Sequence, residues 1–215
     1  MSALSASART AKKKRLITAG AIAVVVIAMF FGTKIVTGDD AAADAGKFNA
    51  VDYAAEKWES EVLPGILDNE HELTEVAAAI AADPAAAADE FGVVEGTSAP
   101  VYTVSFTGEA GLYEGGIMPV AVEGLPDGVA VRVQMGPAIN GTAIRDASGT
   151  VHFPQFTNQI EYQDVGSEFN NIVKTTVLEG IDPLTLNGTR VSITGSFQLI
   201  NPTSYLITPV EIESE

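Results

Sequence analysis

The sequence predicts an α+β protein that is attached to a membrane by an N-terminal helix. Three observations lead to this prediction. An uncharged apolar stretch, Leu16 to Thr33, follows directly after a cluster of basic residues. Apolar residues then recur at helical spacing as far as Phe91. Beyond Gly96 they alternate with polar residues, which is typical of strands, so helices and strands fall in separate runs.

The first forty residues predict the membrane anchor. Five basic residues lie between Arg9 and Arg15, and the segment from Leu16 to Val36 contains 21 residues. As a helix this segment would be about 31 Å long, enough to cross the hydrocarbon core of a bilayer. Basic residues before it and acidic residues after it place the N-terminus in the cytoplasm and the remainder outside. The sequence therefore predicts a basic cytoplasmic stub at 1–15, a single-pass transmembrane anchor at 16–36 and an acidic linker at 37–46.

A cleaved secretory signal is the alternative interpretation of the same segment. The small residues Ala41, Ala42 and Ala43 would suit a cleavage site. The apolar stretch is longer than the usual core of a signal peptide, however, and Lys34 and Asp39 lie between it and these alanines. We therefore favour the anchor, and both interpretations export the rest of the chain.

Charge is divided unevenly along the chain. Six of the 12 basic residues lie at or before Lys34, whereas all 28 acidic residues follow it, so residues 38–215 carry a formal charge of −22. This charge repels phosphate backbones and argues against nucleic acid as a partner. The first predicted partner is instead the cell membrane, which the anchor at 16–36 would enter. The chain contains no cysteine, which excludes a lipid-modified cysteine, a zinc–thiolate site and a thiol nucleophile.

Residues 47–96 are predicted to be a small helical segment. Asn49 is placed to cap a first helix, which Pro64 would end. Apolar residues from Ile66 to Ile80 lie at helical spacing and indicate a second helix. Asp83, followed by a proline, would begin a short third helix.

Residues 97–215 are predicted to be a β domain. Leu125–Gly128 has the residues of a tight turn, because proline presets φ and glycine tolerates positive φ. A helix capped by Asp164 and ending before Gly180 separates the earlier strands from a closing pair. The predicted strands are Tyr102–Phe106, Met118–Val122, Val129–Met135, Thr150–Phe153, Val191–Leu199 and Leu206–Ile212.

This order of elements is that of an OB-like five-stranded Greek-key β-barrel with one helix between strands 3 and 4. The predicted architecture is therefore a transmembrane helix, a short helical segment and then this barrel. An unrelated α+β sandwich would produce a similar pattern of elements, so that alternative stays open at this point.

Residues that could carry catalysis are few and scattered. His71 and His152 stand on different predicted elements, and their spacing does not indicate shared metal ligation. The carboxylates are spread as on a solvated acidic surface, and the sequence places no two of them across a cleft, as glycoside hydrolysis requires. We therefore predict no enzymatic activity, no catalytic residue, no metal site and no cofactor.

One polar stretch predicts a ligand-binding site. Glycine, proline and an Asn-Gly pair set a tight backbone within 136–147, which carries a cation and an anion, and amide side chains follow. These groups suit a neutral polyhydroxylated ligand such as a sugar. The predicted ligand-binding residues are Arg132, Arg145, Asp146, Asn158 and Gln159, with Gly136, Pro137, Gly141 and Thr142 as the backbone of the motif.

A structural interpretation of these residues competes with the binding site. Arg145 and Asp146 would pair with each other, while Asn158 and Gln159 would satisfy buried backbone groups. Irregular buried loops routinely need such groups, so we favour this interpretation. The two differ in one respect: loss of Arg145 would abolish ligand binding in the first case and folding in the second.

The stretches GPAINGTAIRDA (136–147) and FTNQIEY (156–162) carry a family resemblance. Together with 47–64, 186–197 and 207–213, they resemble domain of unknown function family 2291, bacterial predicted periplasmic lipoproteins. The resemblance implies an OB-like barrel, no established biochemical activity, and genes that often lie beside those of ribose-type sugar ABC transporters. One departure matters: many members carry a lipobox cysteine, which this chain lacks, so the span at 16–36 would replace the lipid as anchor.

The predicted protein is therefore a cell-membrane protein whose C-terminal domain lies outside the cytoplasm. Its predicted function is that of a non-catalytic accessory of a sugar ABC transporter, with transporter components or a neutral sugar as partners. The alternative is a structural envelope-assembly protein without a small-molecule ligand. A carbohydrate-active enzyme is the third hypothesis, and it would need a cleft with two facing carboxylates.

Overall fold

The computed structural model describes residues 48–96 and 98–214. The predicted stub, anchor and linker (1–15, 16–36 and 37–46) lie outside the described residues. Within the described ranges, no helix combines the length and the apolar character that crossing a membrane requires. The chain divides into two units between Lys47 and Phe48, and the elements that follow belong to the second unit.

Helix α1 (Ala50–Lys57) begins at its predicted cap. The Asn49 side chain accepts a hydrogen bond from the Val51 N–H at 3.0 Å and donates one to the Asp52 carboxylate at 2.7 Å. The first of these bonds satisfies the Val51 N–H, which lies in the first turn of the helix and has no helical partner. Residues within one turn of each other therefore suffice to start α1.

The helical path then continues through Pro64, so the prediction that it ends there is wrong. A π-helical turn, Trp58–Val62, follows α1 and leads directly into α2 (Leu63–Asp68). The Leu63 N–H bonds to the carbonyl of Trp58, five residues back. Pro64 therefore lies in the first turn of a helix that restarts, where a missing N–H costs little.

The next segment contains a strand and two helices: β1 (Glu70–Glu72), α3 (Leu73–Ala82) and α4 (Pro84–Phe91). We predicted a single helix from Ile66 to Ile80, and this is wrong because β1 interrupts it. β1 pairs in parallel with Thr103–Ser105, far along the chain, and helical spacing does not reveal such a contact. Asp83 caps α4 as predicted, accepting two N–H groups of its first turn.

Five strands close into a barrel: β2 (Val101–Ala110), β3 (Ile117–Ala121), β4 (Ala130–Gln134), β5 (Arg190–Gln198) and β6 (Ser204–Ser214). Around the barrel the order is β2, β3, β4, β6, β5, and β5 pairs again with β2. The β4–β6 pairing is parallel and the other barrel pairings are antiparallel. The five-stranded closed barrel predicted from the sequence is therefore present.

The turn predicted between β3 and β4 is also present. The Val129 N–H donates to the Pro126 carbonyl at 3.2 Å, and Gly128 adopts a φ of +81°. Glycine reaches this conformation without the steric cost that a Cβ would bring.

The connection between β4 and β5 differs from its prediction in two respects. It contains two α-helices, α5 (Ala143–Ala147) and α6 (Gln159–Thr176), where one was predicted. The segment Thr150–Phe153, predicted as a strand, is irregular and leads into a 3₁₀ turn, Phe153–Gln155. The Gln155 side chain takes the hydrogen bonds that a neighbouring strand would have made, with the His152 N–H at 3.0 Å and the Thr150 carbonyl at 3.1 Å.

Helix α6 also begins earlier than predicted. Asn158, and not Asp164, is its N-cap: the Asn158 Oδ1 accepts from the N–H groups of Ile160 and Glu161, both at 3.0 Å. The Glu161 carboxylate accepts from the Thr157 N–H at 2.9 Å, so the two side chains share the capping of this end. Asp164 lies inside the helix, where the backbone N–H groups already have helical partners.

Two apolar cores are formed by the described residues. The first fills the barrel, where the ring of Phe197 stacks between Tyr102 and Tyr205 at centroid distances of 5.5 and 4.5 Å, and α3 packs against this core. The second lies under α1, α5 and α6, where Trp58 meets Phe169 at 6.1 Å. The barrel residues that join the second core are Val101 of β2 and Val210 of β6.

Gly195 lies where β5 and β6 approach each other closely. A Cβ at this position would lie 2.5 Å from the Thr208 carbonyl oxygen and 2.7 Å from the Ile207 side chain. The pairing of β5 with β6 shifts register between Thr194 and Gly195, so the strand bends at this point. Closure of the barrel here depends on the absence of a side chain.

Gly195→Ala is expected to lower the free energy of unfolding by about 1–3 kcal/mol, because backbone must move to admit the new methyl group. Gly166→Ala is the matched control, since a Cβ on Gly166 of α6 meets nothing closer than 3.5 Å. We expect the control to keep or raise stability by about 0.5–1 kcal/mol, as alanine does in helices. Denaturant unfolding of both variants measures the difference, and equal stabilities would contradict the prediction.

Candidate functional site

Arg145 and Asp146, two of the predicted ligand residues, form a buried ion pair on α5. Their exposed fractions are 6% and 7%. Arg145 Nε donates to Asp146 Oδ1 at 2.7 Å, and Nη2 donates to Oδ2 at 3.1 Å. The planar fork of the guanidinium therefore meets both oxygens of the carboxylate, which is the strongest geometry for such a pair.

Tyr162 of α6 completes the cluster around this pair. The Arg145 Cζ lies 3.5 Å from the centre of the Tyr162 ring, and Arg145 Nη1 donates to the Tyr162 carbonyl at 3.1 Å. The Tyr162 hydroxyl donates to Asp146 Oδ1 at 3.3 Å, and the Thr142 hydroxyl donates to Oδ2 at 2.7 Å. A desolvated guanidinium gains from the ring as well as from the carboxylate. The cluster thus joins α5 to α6 through groups that bind one another.

The same surroundings control the ionisation of Tyr162. Burial, which disfavours the phenolate, and the nearby Asp146 carboxylate raise the pKa of Tyr162 to about 12, while the Arg145 guanidinium acts in the opposite direction. The phenol therefore stays protonated at neutral pH and remains a hydrogen-bond donor to Asp146.

The other three predicted ligand residues lie elsewhere. Asn158 caps α6, and Gln159 is exposed on the first turn of that helix. Arg132 is exposed on the outer face of β4, in register with Pro119 of β3. Among the described residues, no hydrogen bond joins any of these three to the ion pair of α5. The structure therefore brings together Arg145 and Asp146 and leaves the rest apart.

The four motif-backbone residues shape the loop that leads into α5. Gly136 has a φ of +81°, and its carbonyl accepts from the Tyr113 hydroxyl at 2.8 Å. Pro137 follows it through a cis peptide bond. Gly141 has a φ of +92°, and its carbonyl accepts from Asn170 of α6 at 2.9 Å. Thr142 is the residue before α5, and its hydroxyl donates to the Asp146 carboxylate of that helix. The motif therefore connects the end of β4 to α5 and to α6.

A groove that the sequence did not predict lies on the outer surface of β2, β3 and β4. Its volume is about 770 Å³, and the β3–β4 turn forms one wall through Leu125. The charged side chains that line it are Glu72, Glu109, Glu123 and Arg190. Strand register explains why the sequence conceals the site: Glu109 of β2 stands opposite both Ala121 of β3 and Arg190 of β5.

Of the predicted ligand residues, Arg132 is the one whose strand position adjoins this groove. Its register partner Pro119 lines the groove, and so do its neighbours Ala130 and Val131. The lining holds three carboxylates and one guanidinium, that of Arg190, so the groove has hydrogen-bond acceptors in excess and an unfavourable field for anions. Exposed carboxylates such as Glu109 on β2 and Glu123 in the turn after β3 are the signal from which sequence reasoning could have found it.

The two histidines have partners of their own. His152 Nδ1 lies 2.8 Å from Glu95 Oε2, and the His71 ring meets Phe91 edge to face at 5.0 Å. Within the described ranges, no three histidine, aspartate or glutamate side chains are grouped so that they could hold a metal ion.

The chain is similar over almost its whole length to a known family. The family model described as "Predicted periplasmic lipoprotein (DUF2291)" matches residues 23–213. The chain belongs to this family. The match confirms the resemblance drawn from the motifs at 136–147 and 156–162. It also indicates an extracytoplasmic, membrane-associated DUF2291 protein, although this chain contains no cysteine that could carry a lipid.

Among solved structures, an OB-fold protein from Thermotoga maritima resembles this DUF2291 protein with a TM-score of 0.62. The two are 22% identical, and the match covers 78% of this chain and 99% of the Thermotoga chain. At that identity the likeness establishes the fold alone. It confirms the predicted OB-type barrel and rules out the unrelated α+β sandwich. No functionally curated protein matches the sequence significantly.

Arg145→Ala is expected to destabilise the protein by about 3–5 kcal/mol, because it leaves the Asp146 carboxylate buried without its partner. The double variant Arg145→Met, Asp146→Leu removes both charges and is expected to recover much of that loss. Denaturant unfolding monitored by circular dichroism measures both. An Arg145→Ala variant as stable as the wild type would contradict a structural role for the pair.

Stability is expected to fall as the pH rises from about 10 towards about 12. The pKa of Tyr162 in the folded state lies above the ordinary value of 10.0, so the unfolded state loses this proton first. The contribution of Tyr162 is therefore fully present below pH 10 and is lost through this window. Tyr162→Phe should show a shallower decline in Tm over the same range, and an unchanged pH profile would contradict the prediction.

Proposed function

We propose that this DUF2291 protein is a membrane-anchored, extracytoplasmic and non-catalytic accessory of a sugar ABC transporter. Its family supports an extracytoplasmic location. The predicted anchor at 16–36 would tether it beside a membrane transporter. The single observation that carries a binding role is the groove of about 770 Å³ on the barrel, because OB-type barrels commonly bind ligands on the face of their second and third strands, here β3 and β4.

The ligand best suited to this groove is a neutral sugar. Sugar hydroxyls donate to carboxylates, and Glu109 and Glu123 line the groove; they accept from guanidinium groups, and Arg132 stands beside it. The negative charge of the exported domain would repel phosphorylated sugars. In this proposal Arg132 is the predicted ligand residue that acts in binding, and Arg145 and Asp146 support the fold beneath.

A non-catalytic role is supported by the fact that the side chains that could act in catalysis already have partners within the domain. His152 is engaged by Glu95, and the Arg145–Asp146 pair is saturated by its own neighbours. The groove is also an open surface of a sheet, whereas glycoside hydrolysis needs two carboxyl groups facing each other across the scissile bond.

A structural envelope-assembly protein is the second candidate function. It is favoured by the internal use of the motif residues, since Asn140, Gly141 and Thr142 all bond within the domain. In that case the groove would receive a protein segment and no small molecule. A ligand screen separates the two functions.

Thermal denaturation of the purified protein with pentoses, hexoses and polyols tests the proposal. A ligand present at about 100 times its Kd stabilises by about 2.7 kcal/mol, which raises Tm by several degrees. We expect a selective shift that Arg132→Ala and Glu109→Gln abolish. Glu168→Gln, on α6 and outside the groove lining, is the control and should keep the shift.

If no sugar raises Tm at concentrations high enough to reveal millimolar binding, the ligand of the groove is not a sugar. Purification of transporter subunits together with the wild-type protein from native membranes would then favour a protein partner for the groove. If neither sugar nor transporter binds, the accessory function is wrong and the envelope-assembly function replaces it.

A further inference from the structure

A cluster of aromatic rings lies at the end of the domain where the described chain begins. Phe48 meets Phe156 at a centroid distance of 5.4 Å, Phe156 meets Tyr162 at 5.3 Å, and Tyr162 meets Phe153 at 5.7 Å. Tyr53 of α1 adds a contact of 5.2 Å with Phe156. We call the surface formed by these five rings the aromatic face.

The rim of the aromatic face and its surroundings are open to solvent, whereas Phe156 and Tyr162 at its centre are buried. Phe48 and Phe153 are 38% and 42% exposed, and Val51 and Ile160 are more exposed still, on the first turns of α1 and α6. These four make up half of the eight large apolar side chains that are well exposed in the described part of the chain. Single exposed apolar residues are ordinary, but their concentration at one end indicates a surface that is covered by something.

Helix packing explains why these segments meet. Helices α1 and α6 pack against each other. Tyr53 of α1 meets Phe156, three residues before α6, and Trp58, directly after α1, meets Phe169 within α6, so the two helices have their N-terminal ends together. Phe48 precedes the N-cap of α1 and packs on Tyr53 at 5.6 Å, which is a hydrophobic staple. The staple accounts for the position of Phe48. It does not account for the exposure of Phe153 and Ile160.

The short linker to the predicted anchor indicates which surface of the domain lies within reach of the membrane. The predicted anchor ends at Val36, and only residues 37–47 separate it from Phe48. Eleven residues span at most about 40 Å even when fully extended. Phe48 is a member of the aromatic face, so this face contains the point of the domain that is nearest to the membrane along the chain.

We propose that the aromatic face docks on the lipid–water interface of the membrane that anchors the chain. The inference rests on the anchor in the proposed function, and it needs neither the transporter nor the sugar. Exposed aromatic and aliphatic side chains such as Phe48, Phe153 and Ile160 suit the interfacial layer, where apolar groups leave water beside polar headgroups. Docking would hold the barrel and its groove in one orientation above the bilayer.

Charge specifies the kind of lipid surface. The exported part of the chain carries −22, so anionic headgroups repel the domain as a whole and the attraction is apolar. The two carboxylates of the first turns, Asp52 and Glu161, are already bound at the N-termini of their helices, by the Asn49 amide at 2.7 Å and the Thr157 N–H at 2.9 Å. Their charge is therefore partly offset beside the aromatic face.

Depth-dependent quenching of a fluorescent label tests the proposal. The chain has no cysteine, so a single introduced cysteine gives a single labelled site. Ile160→Cys probes the aromatic face, and Leu184→Cys is the matched control: the two side chains are 69% and 64% exposed, and Leu184 follows the far end of α6. The full chain is reconstituted into phosphatidylcholine vesicles that contain a lipid with a nitroxide near its headgroup.

We expect the label at position 160 to be quenched several-fold more than the label at position 184. Combining Ile160→Cys with Val51→Ser and Phe153→Ser should reduce the quenching to the control value without changing the circular dichroism spectrum. Replacing part of the phosphatidylcholine with phosphatidylglycerol should weaken the quenching, since the domain is acidic.

Equal quenching at both positions, in chains that float with the vesicles, would overturn docking and leave the anchor intact. Chains that do not float would overturn the anchor and the docking together. The cysteine at position 160 could resist labelling by a water-soluble reagent in native membranes but be labelled in pure lipid vesicles. This result would also overturn the proposal, in favour of a protein partner. None of these outcomes depends on the sugar screen, so the docking and the sugar-binding function fail separately.

Discussion

The helical layer of this protein depends on the buried pair of Arg145 and Asp146. A guanidinium and a carboxylate withdrawn from water are tolerated only when each meets the other and the remaining polar atoms find partners. Tyr162 and Thr142 supply those partners, on α6 and just before α5. Because α5 packs against β2 and β5, the pair fastens α6 to the barrel, and α6 in turn holds α1.

This arrangement makes the barrel asymmetric. The helical layer buries outward-facing residues of β2 and β6 in the second core, whereas the outer surface of β3, β4 and the far half of β2 stays open and forms the groove. The strands can close so tightly because glycine stands at the narrow points: a Cβ on Gly108 would lie 2.5 Å from the Ala121 carbonyl oxygen. One side of the barrel is thus covered by the helical layer, and the other carries the groove.

The motif by which the family is recognised belongs to the stabilising side. Gly136, Gly141 and Thr142 build the loop into α5, and Arg145 and Asp146 are consumed by their neighbours. A signature motif of this kind reports the fold that a family shares. The groove lies outside both motifs, whereas the aromatic face takes Phe156 and Tyr162 from the second motif at 156–162. These are the surfaces through which we propose that the DUF2291 protein meets its ligand and its membrane.

The sequence by itself determined the features whose causes are local. The caps at Asn49 and Asp83, the turn at Leu125–Gly128 and the alternation of the barrel strands depend on dihedral preferences and hydrogen bonds within a few residues. The family followed from the motifs, and the local pairing of Arg145 with Asp146 from adjacency. These local features were enough to predict the barrel, and to predict that Arg145 and Asp146 pair with each other.

Only the tertiary structure decided which distant groups meet. It placed β1 beside β2, carried the helix past Pro64, brought Tyr162 over Arg145, and set Glu109 opposite both Ala121 and Arg190. Strand register and burial are properties of segments far apart in the chain, and no pattern within one segment contains them. The groove therefore did not follow from the pattern of any single segment, because it forms only where these segments meet.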